Sequence, residues 1–218
     1  MNRVAFPDMI QHIEDELATA YGFSIAVSAA DCLTQSAEAA AVAADNRAAL
    51  ILRTSPAQEE LELGLYFRPE LIAAFEQDNP LARLDSRNLD AFCVAVEEVS
   101  HFHLVVNRVQ ASQGVSLLEL EWQGEVDKLL MAGRILEKQT GDPHLPQLTR
   151  MIFDHSYCYT AQQDLYEEAH RLAARYCYKL LPQLQDVPSR KRAEKLRAAC
   201  RHTYELLWAE KLRAIDSL

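Results

Sequence analysis

Two periodicities divide the chain. Apolar residues alternate with polar ones in short runs before residue 68, and recur three or four apart almost everywhere after it. Ahead of the alternating region, Met9, Ile10, Ile13, Leu17 and Ala20 follow Pro7 at helical spacing, and Gly22 can end that helix. Phe23, Ile25 and Val27 then alternate with Ser24, Ala26 and Ser28, which predicts a short strand. Residues 29–46 are Ala-rich and polar and predict a helix. Ala48–Thr54 and Glu60–Phe67 read as two strands, with a connection short enough for a hairpin. In the second, Leu61, Leu63, Leu65 and Phe67 share one face and Glu60 and Glu62 the other, so the sheet should have one wet face. Those two glutamates suit either a docking edge or a guard against edge aggregation.

From Pro69 onward the pattern predicts only helices. A short one carries Leu71, Ile72, Ala74 and Phe75 and ends before Asn79-Pro80. The longest apolar run follows, from about Arg87 to Gln110, without Pro or Gly. On a helical wheel it is apolar nearly all round, leaving Asp90, Cys93, Glu97, Ser100, Leu104 and Asn107 to face water, so it should be a buried central helix. Ser116 with Glu119 forms a capping-box pattern that opens the next helix, which runs to about Lys138 before Gly141. Pro143 and Pro146 flank the start of another, ending near Tyr159. Thr160 with Gln163 opens one that reaches Leu181 before Pro182, and Ser189 opens the last. The expected fold class is α+β, mostly α: a small N-terminal antiparallel sheet with a helix, then five or six helices around 87–110. The division falls at about residue 80, with an α/β lobe over 1–80 and an α-helical domain over 81–218, or one continuous domain.

Composition narrows the function classes. With 218 residues, 49% hydrophobic and 25% charged, the chain can bury a sizeable core. The net charge of −10 disfavours broad binding to nucleic acid or anionic membranes. No window approaches 18 uninterrupted apolar residues, and the N-terminus lacks the apolar segment of a signal peptide. Five widely spaced cysteines without a C-x-x-C pair read as buried thiols in a reducing compartment, so the expected location is the cytoplasm.

The sharpest chemistry lies in two E-x-x-H segments, Glu98–His101 and Glu167–His170. On a helix this spacing sets a carboxylate beside an imidazole. Two such helices, with a Glu from each of two others, compose the di-iron or di-manganese box of ferritin-like bundles, and the pattern here resembles that box. Glu70 or Glu76 could supply one further carboxylate and Glu121 or Glu125 the other. The expected ligands are Glu98, His101, Glu125, Glu167 and His170, with iron or manganese bound. The competing reading is a core Glu–His pair, with the buried Glu kept neutral. A zinc hydrolase has less support, because His101 and His103 cannot share a helical face and no H-E-x-x-H motif is present. Gly124, inside a helix, implies close approach by a neighbouring helix or ligand. Cys158, three after His155, reads as a packed thiol.

Residues 189–213 hold eight cations and three acids, a net +5 against −15 for the remainder. Four of them, Arg190, Lys191, Arg192 and Lys195, occupy the first two turns, where the helix dipole disfavours them. They are candidates for contact with an acidic protein partner. Two functions follow. One is a non-catalytic binding or regulatory protein acting through its helical surface and basic C-terminal helix. The other is a metal-dependent enzyme, most plausibly a di-iron or di-manganese oxidase.

Overall fold

The computed structural model describes residues 4–44, 46–55, 60–154 and 163–217. Among them the chain is 70% helical, with nine helices and a three-stranded mixed sheet. Helix α1 (Phe6–Tyr21) carries Pro7 in its first turn and closes on Gly22, whose left-handed backbone (φ 76°) a residue with a Cβ would hold only under strain. The five apolar positions of its stripe are all buried.

The strand expected over 23–28 does not form. Its backbone is tied instead to α1: the fully buried Glu14 accepts the Ala29 N–H (2.7 Å) and the Ser28 hydroxyl (2.8 Å). Phe23 leaves the alternating pattern to stack on His103 and Tyr204. Residues 29–46 break into a single 3-10 turn (Ala30–Cys32), the two-residue strand β1 (Leu33–Thr34) and a short helix α2 (Ala37–Ala43), capped by Ser36.

Strands β2 (Ala48–Ser55) and β3 (Glu60–Phe67) pair antiparallel as expected, from Ala48↔Phe67 to Ser55↔Glu60. Their connection, 56–59, lies outside the described residues. The sheet is mixed rather than antiparallel, because β1 adds to β3 in parallel, giving the order β1-β3-β2. Nor is the second face wet throughout: Ala39 and Ala43 of α2 cover Ile51 and Tyr66, and only the far end, with Arg53 and Glu62, is exposed.

The helical part comprises α3 (Pro69–Gln77), α4 (Leu89–Gln110), α5 (Leu117–Thr140), α6 (Leu145–Phe153), α7 (Gln163–Gln185), α8 (Ser189–Glu205) and α9 (Trp208–Ser217). The helix expected to reach Tyr159 ends instead at Phe153, with Asp154 as its C-cap, and the Thr160 cap lies outside the described residues. α4 is the buried helix the pattern predicts, packed by α1, α3, β2, β3 and α5. It is more enclosed than the wheel implies. Cys93, Ser100 and Leu104, assigned to water, are buried, while Val109 at the C-terminal end is 53% exposed. One hydrophobic cluster joins Phe6 to Ile215.

Two corrections concern the C-terminal region. α7 continues through Pro182 for its last turn, where the missing N–H forfeits a single hydrogen bond near a helix end. The final helix is broken at Leu206, whose backbone is extended. Arg108 donates to the Leu206 carbonyl (2.9 Å), and Glu210 caps α9 at the Leu207 N–H (3.0 Å). The break lets Lys211 turn inward to Glu119 (3.0 Å) and Gln123 (3.2 Å), over the Trp122 and Tyr204 rings. No helix among the described residues is long and apolar enough to cross a membrane, and Cys32, Cys93, Cys177 and Cys200 are free thiols.

Burial lowers the Lys211 amine from 10.5 to about 8, against the attraction of Glu119. Between those values the unfolded chain keeps a proton that the folded chain has released, so this group makes stability rise as pH increases from 8 to 10.5. In urea unfolding, the stability of the wild type minus that of Lys211→Met should grow by about 3 kcal/mol across that window. A difference independent of pH would contradict the burial of this amine.

Candidate metal centre

The cluster of interest lies between α4, α5 and α7. Glu97 and His101 are four apart on α4, and Glu121, Glu125 and Lys128 recur at four and three on α5, so each helix directs its set to one face. The two faces meet because α5 has no side chain at Gly124. A Cβ there would lie 2.9 Å from His101 Nε2 and 3.1 Å from Glu97 Cγ. This is the close approach that a mid-helix glycine implies.

One donor atom each from Glu97, His101 and Glu121 lies within 4.8 Å of the others. His101 Nε2 is 3.8 Å from Glu121 Oε2 and makes no well-formed hydrogen bond, in a residue only 7% exposed whose ring has a backbone contact at Leu120. Glu98 is half-buried as a residue, yet its Oε2 is sealed from solvent and also without a partner. Beside this group, Lys128 Nζ bridges Glu97 (2.8 Å) and Glu125 (3.0 Å). The second oxygen of Glu125 lies 3.3 Å from His170 Nδ1, while His170 Nε2 is 3.2 Å from the Phe153 carbonyl.

Protonation follows from these neighbours. Burial, then the charge of Glu97, pushes Glu98 up to about 8 despite a hydrogen bond from the Leu50 backbone. Burial with Glu97 and Glu98 raises Glu121 as well. Glu125 goes the other way: burial opposes its charge, but Lys128 and His170 hold it low. His101 is pushed down by burial, whereas the Glu125 contact raises His170. Tyr166 is raised by burial and then by Glu121, Glu97 and Glu98. A stack of carboxylates this close is costly without cations to offset it.

Of the five residues expected as ligands, His101 belongs to the three-donor group. Glu125 and His170 pair beside it, Glu98 sits at its edge, and Glu167 occupies an exposed position on α7. Glu97, Glu121 and Lys128 were absent from the expected set. The E-x-x-H search favours Glu98 over Glu97, although spacing of four serves a helix face as well as spacing of three. A different Glu–His pair is buried in the core: Glu14 meets His103 Nε2 at 2.8 Å, and the hydrogen bond helps hold Glu14 low against the upward effect of its burial.

The basic residues of α8 are placed differently from one another. Arg192 donates to the Val187 (2.9 Å) and Gln185 (3.2 Å) carbonyls and Lys195 to the Gln183 carbonyl (3.1 Å), so both cap the end of α7. Lys191 is exposed, and the Arg190 side chain, like His155 and Cys158, lies outside the described residues. A separate cavity of about 280 Å³ beside the sheet includes Asp31, Thr34 and Arg53 in its lining, and Arg53 is already paired with Glu38 (2.7 Å).

The fold and this cluster define a mainly helical α+β protein with a buried carboxylate–histidine group. Comparison with protein-family models, curated proteins and solved structures gave no match in any of the three.

Gly124→Ala tests the α4–α5 contact. Helix propensity alone would stabilise the protein by about 1 kcal/mol. Overpacking against His101 and Glu97 should reverse the sign, for a net loss of about 1–2 kcal/mol in chemical unfolding. A stabilised variant would show that the two helices do not meet as described.

Proposed function

We propose that this protein binds a divalent metal ion, iron or manganese, between α4 and α5 and works as a metal-dependent enzyme. The supporting observation is His101 Nε2, a buried nitrogen without a well-formed hydrogen bond, directed at two carboxylates within metal-ligand reach. A buried polar atom left unmatched costs roughly 1–3 kcal/mol, and a cation shared with Glu97 and Glu121 would recover that cost. The donor set also indicates the metal. Two carboxylates and one imidazole suit iron or manganese, whereas zinc sites draw more heavily on His and Cys. When bound, such an ion would supply Lewis-acid or redox chemistry. The chain's own residues would surround it: Glu97, His101 and Glu121 as ligands, Lys128 balancing charge, and Tyr166 close enough to Glu121 to respond to its charge.

The alternative, a binding module acting on an acidic protein through α8, draws less support from the geometry. Arg192 and Lys195 each donate to carbonyls at the end of α7, so part of this basic set works within the fold, although Lys195 is exposed like Lys191.

Thermal unfolding with added Mn²⁺ separates these readings. At 100 times its Kd the ion should stabilise the wild type by about 2.7 kcal/mol. The gain should disappear in His101→Ala and Glu121→Gln and persist in Lys191→Gln. A wild type that purifies without metal, and whose melting neither Mn²⁺ nor Fe²⁺ alters, would contradict the metal-centre reading.

A further inference from the structure

The carboxylate–histidine cluster contains two places for positive charge, and one is already taken. We infer that Lys128 occupies the position of a second metal ion, so that the centre holds one metal ion per chain rather than the pair that its ligand count suggests. This inference rests on the metal-centre reading above and concerns its nuclearity.

The geometry separates the two places. The first is the Glu97–His101–Glu121 group, where His101 supplies a buried nitrogen without a well-formed hydrogen bond. The second would draw on Glu97 as the shared carboxylate, with Glu125 and His170 as its own ligands. Two carboxylates and an imidazole repeat the donor set of the first. The Lys128 ammonium already stands between the two carboxylates, 2.8 Å from Glu97 and 3.0 Å from Glu125, with its side chain only 12% exposed. The far oxygen of Glu125 is directed to His170.

Charge balance gives the same count. Counting only the carboxylates that line the two places, Glu97, Glu121 and Glu125 carry three negative charges when ionised, which one divalent ion and one ammonium neutralise. A second divalent ion would add two positive charges beside a buried ammonium, within a few ångströms and away from water, where like charges repel most strongly. The lysine therefore works as a fixed cation, and Glu97 is shared between it and the metal. Lys128 comes three residues after Glu125, on the same helical face, so the exclusion is built into α5 itself.

Mn²⁺ binding followed by electron paramagnetic resonance provides the test. Wild-type protein should take up one Mn²⁺ per chain and show the six-line spectrum of an isolated ion. Lys128→Met, similar in length but without charge, should bind two, with the broadened spectrum of an exchange-coupled pair. Adding His170→Ala to Lys128→Met should return the count to one. If Lys128→Met fails to fold, Lys128→Gln serves instead, and the wild-type count stands independently of both. Two coupled ions in the wild type would overturn the inference while leaving the metal centre in place. So would a folded, neutral variant at position 128 that still holds one ion. A wild type that binds no Mn²⁺ would remove the metal-centre reading itself, and this inference with it.

Discussion

The structure depends on the seam between α4 and α5, where two long helices approach closely enough to enclose charge. Contact at Gly124 brings the His101 ring against the backbone of α5 and places the carboxylates of the two helices side by side. Such an interface cannot be held by apolar packing alone, because like charges removed from water repel one another strongly. It persists because Lys128 pairs with two of the acids and Glu121 and Glu98 favour their neutral forms. The same compensation makes the seam receptive to a cation, since a metal ion could replace the protons that now limit repulsion.

α5 carries a second buried polar group, and the contrast is informative. Asp127 accepts from Tyr21, Ser100 (2.5 Å) and Gln123 (3.1 Å), so its carboxylate is well supplied with donors. Gln123 in turn reaches Lys211, which also meets Glu119, itself bonded to Arg108 at 2.8 Å. That network joins α1, α4, α5 and α9 and accounts for the inward turn of the C-terminal helix. Its carboxylates keep no buried oxygen without a partner, although Arg108 Nε has none, whereas at the seam Glu98 and His101 each keep an orphaned atom. A network well supplied with donors rigidifies a core, whereas the seam leaves His101 Nε2 buried beside two carboxylates.

Much of the fold was legible in the sequence because its signals are local. Helical spacing located α1, α4 and α5, Gly22 and Gly141 marked helix ends, and alternation located β2 and β3. What escaped depends on distant partners. The alternation over 23–28 looked like a strand, but Glu14 and His103 supply contacts that no local pattern records. Similarly, nothing near Leu206 signals the break after α8, since its cause is Arg108, almost a hundred residues away. For the cluster, the E-x-x-H spacing pointed to α4 and His101, which stand in the three-donor group, and to α7 and Glu167, which do not. It favoured Glu98 over Glu97, both about one turn before that histidine, and the choice turns on which of the two faces Gly124 of α5. Lys128 carries no signal of its own in the sequence, because its role comes from the acids that face it.

The most direct measurement is anomalous diffraction from crystals grown with Mn²⁺ or Fe²⁺, collected at the absorption edge of the metal. The account predicts a single strong peak enclosed by Glu97, His101 and Glu121, with the Lys128 ammonium still between Glu97 and Glu125. Crystals that diffract well but show no anomalous density at this seam, with His101 Nε2 bonded only to protein or water, would contradict it.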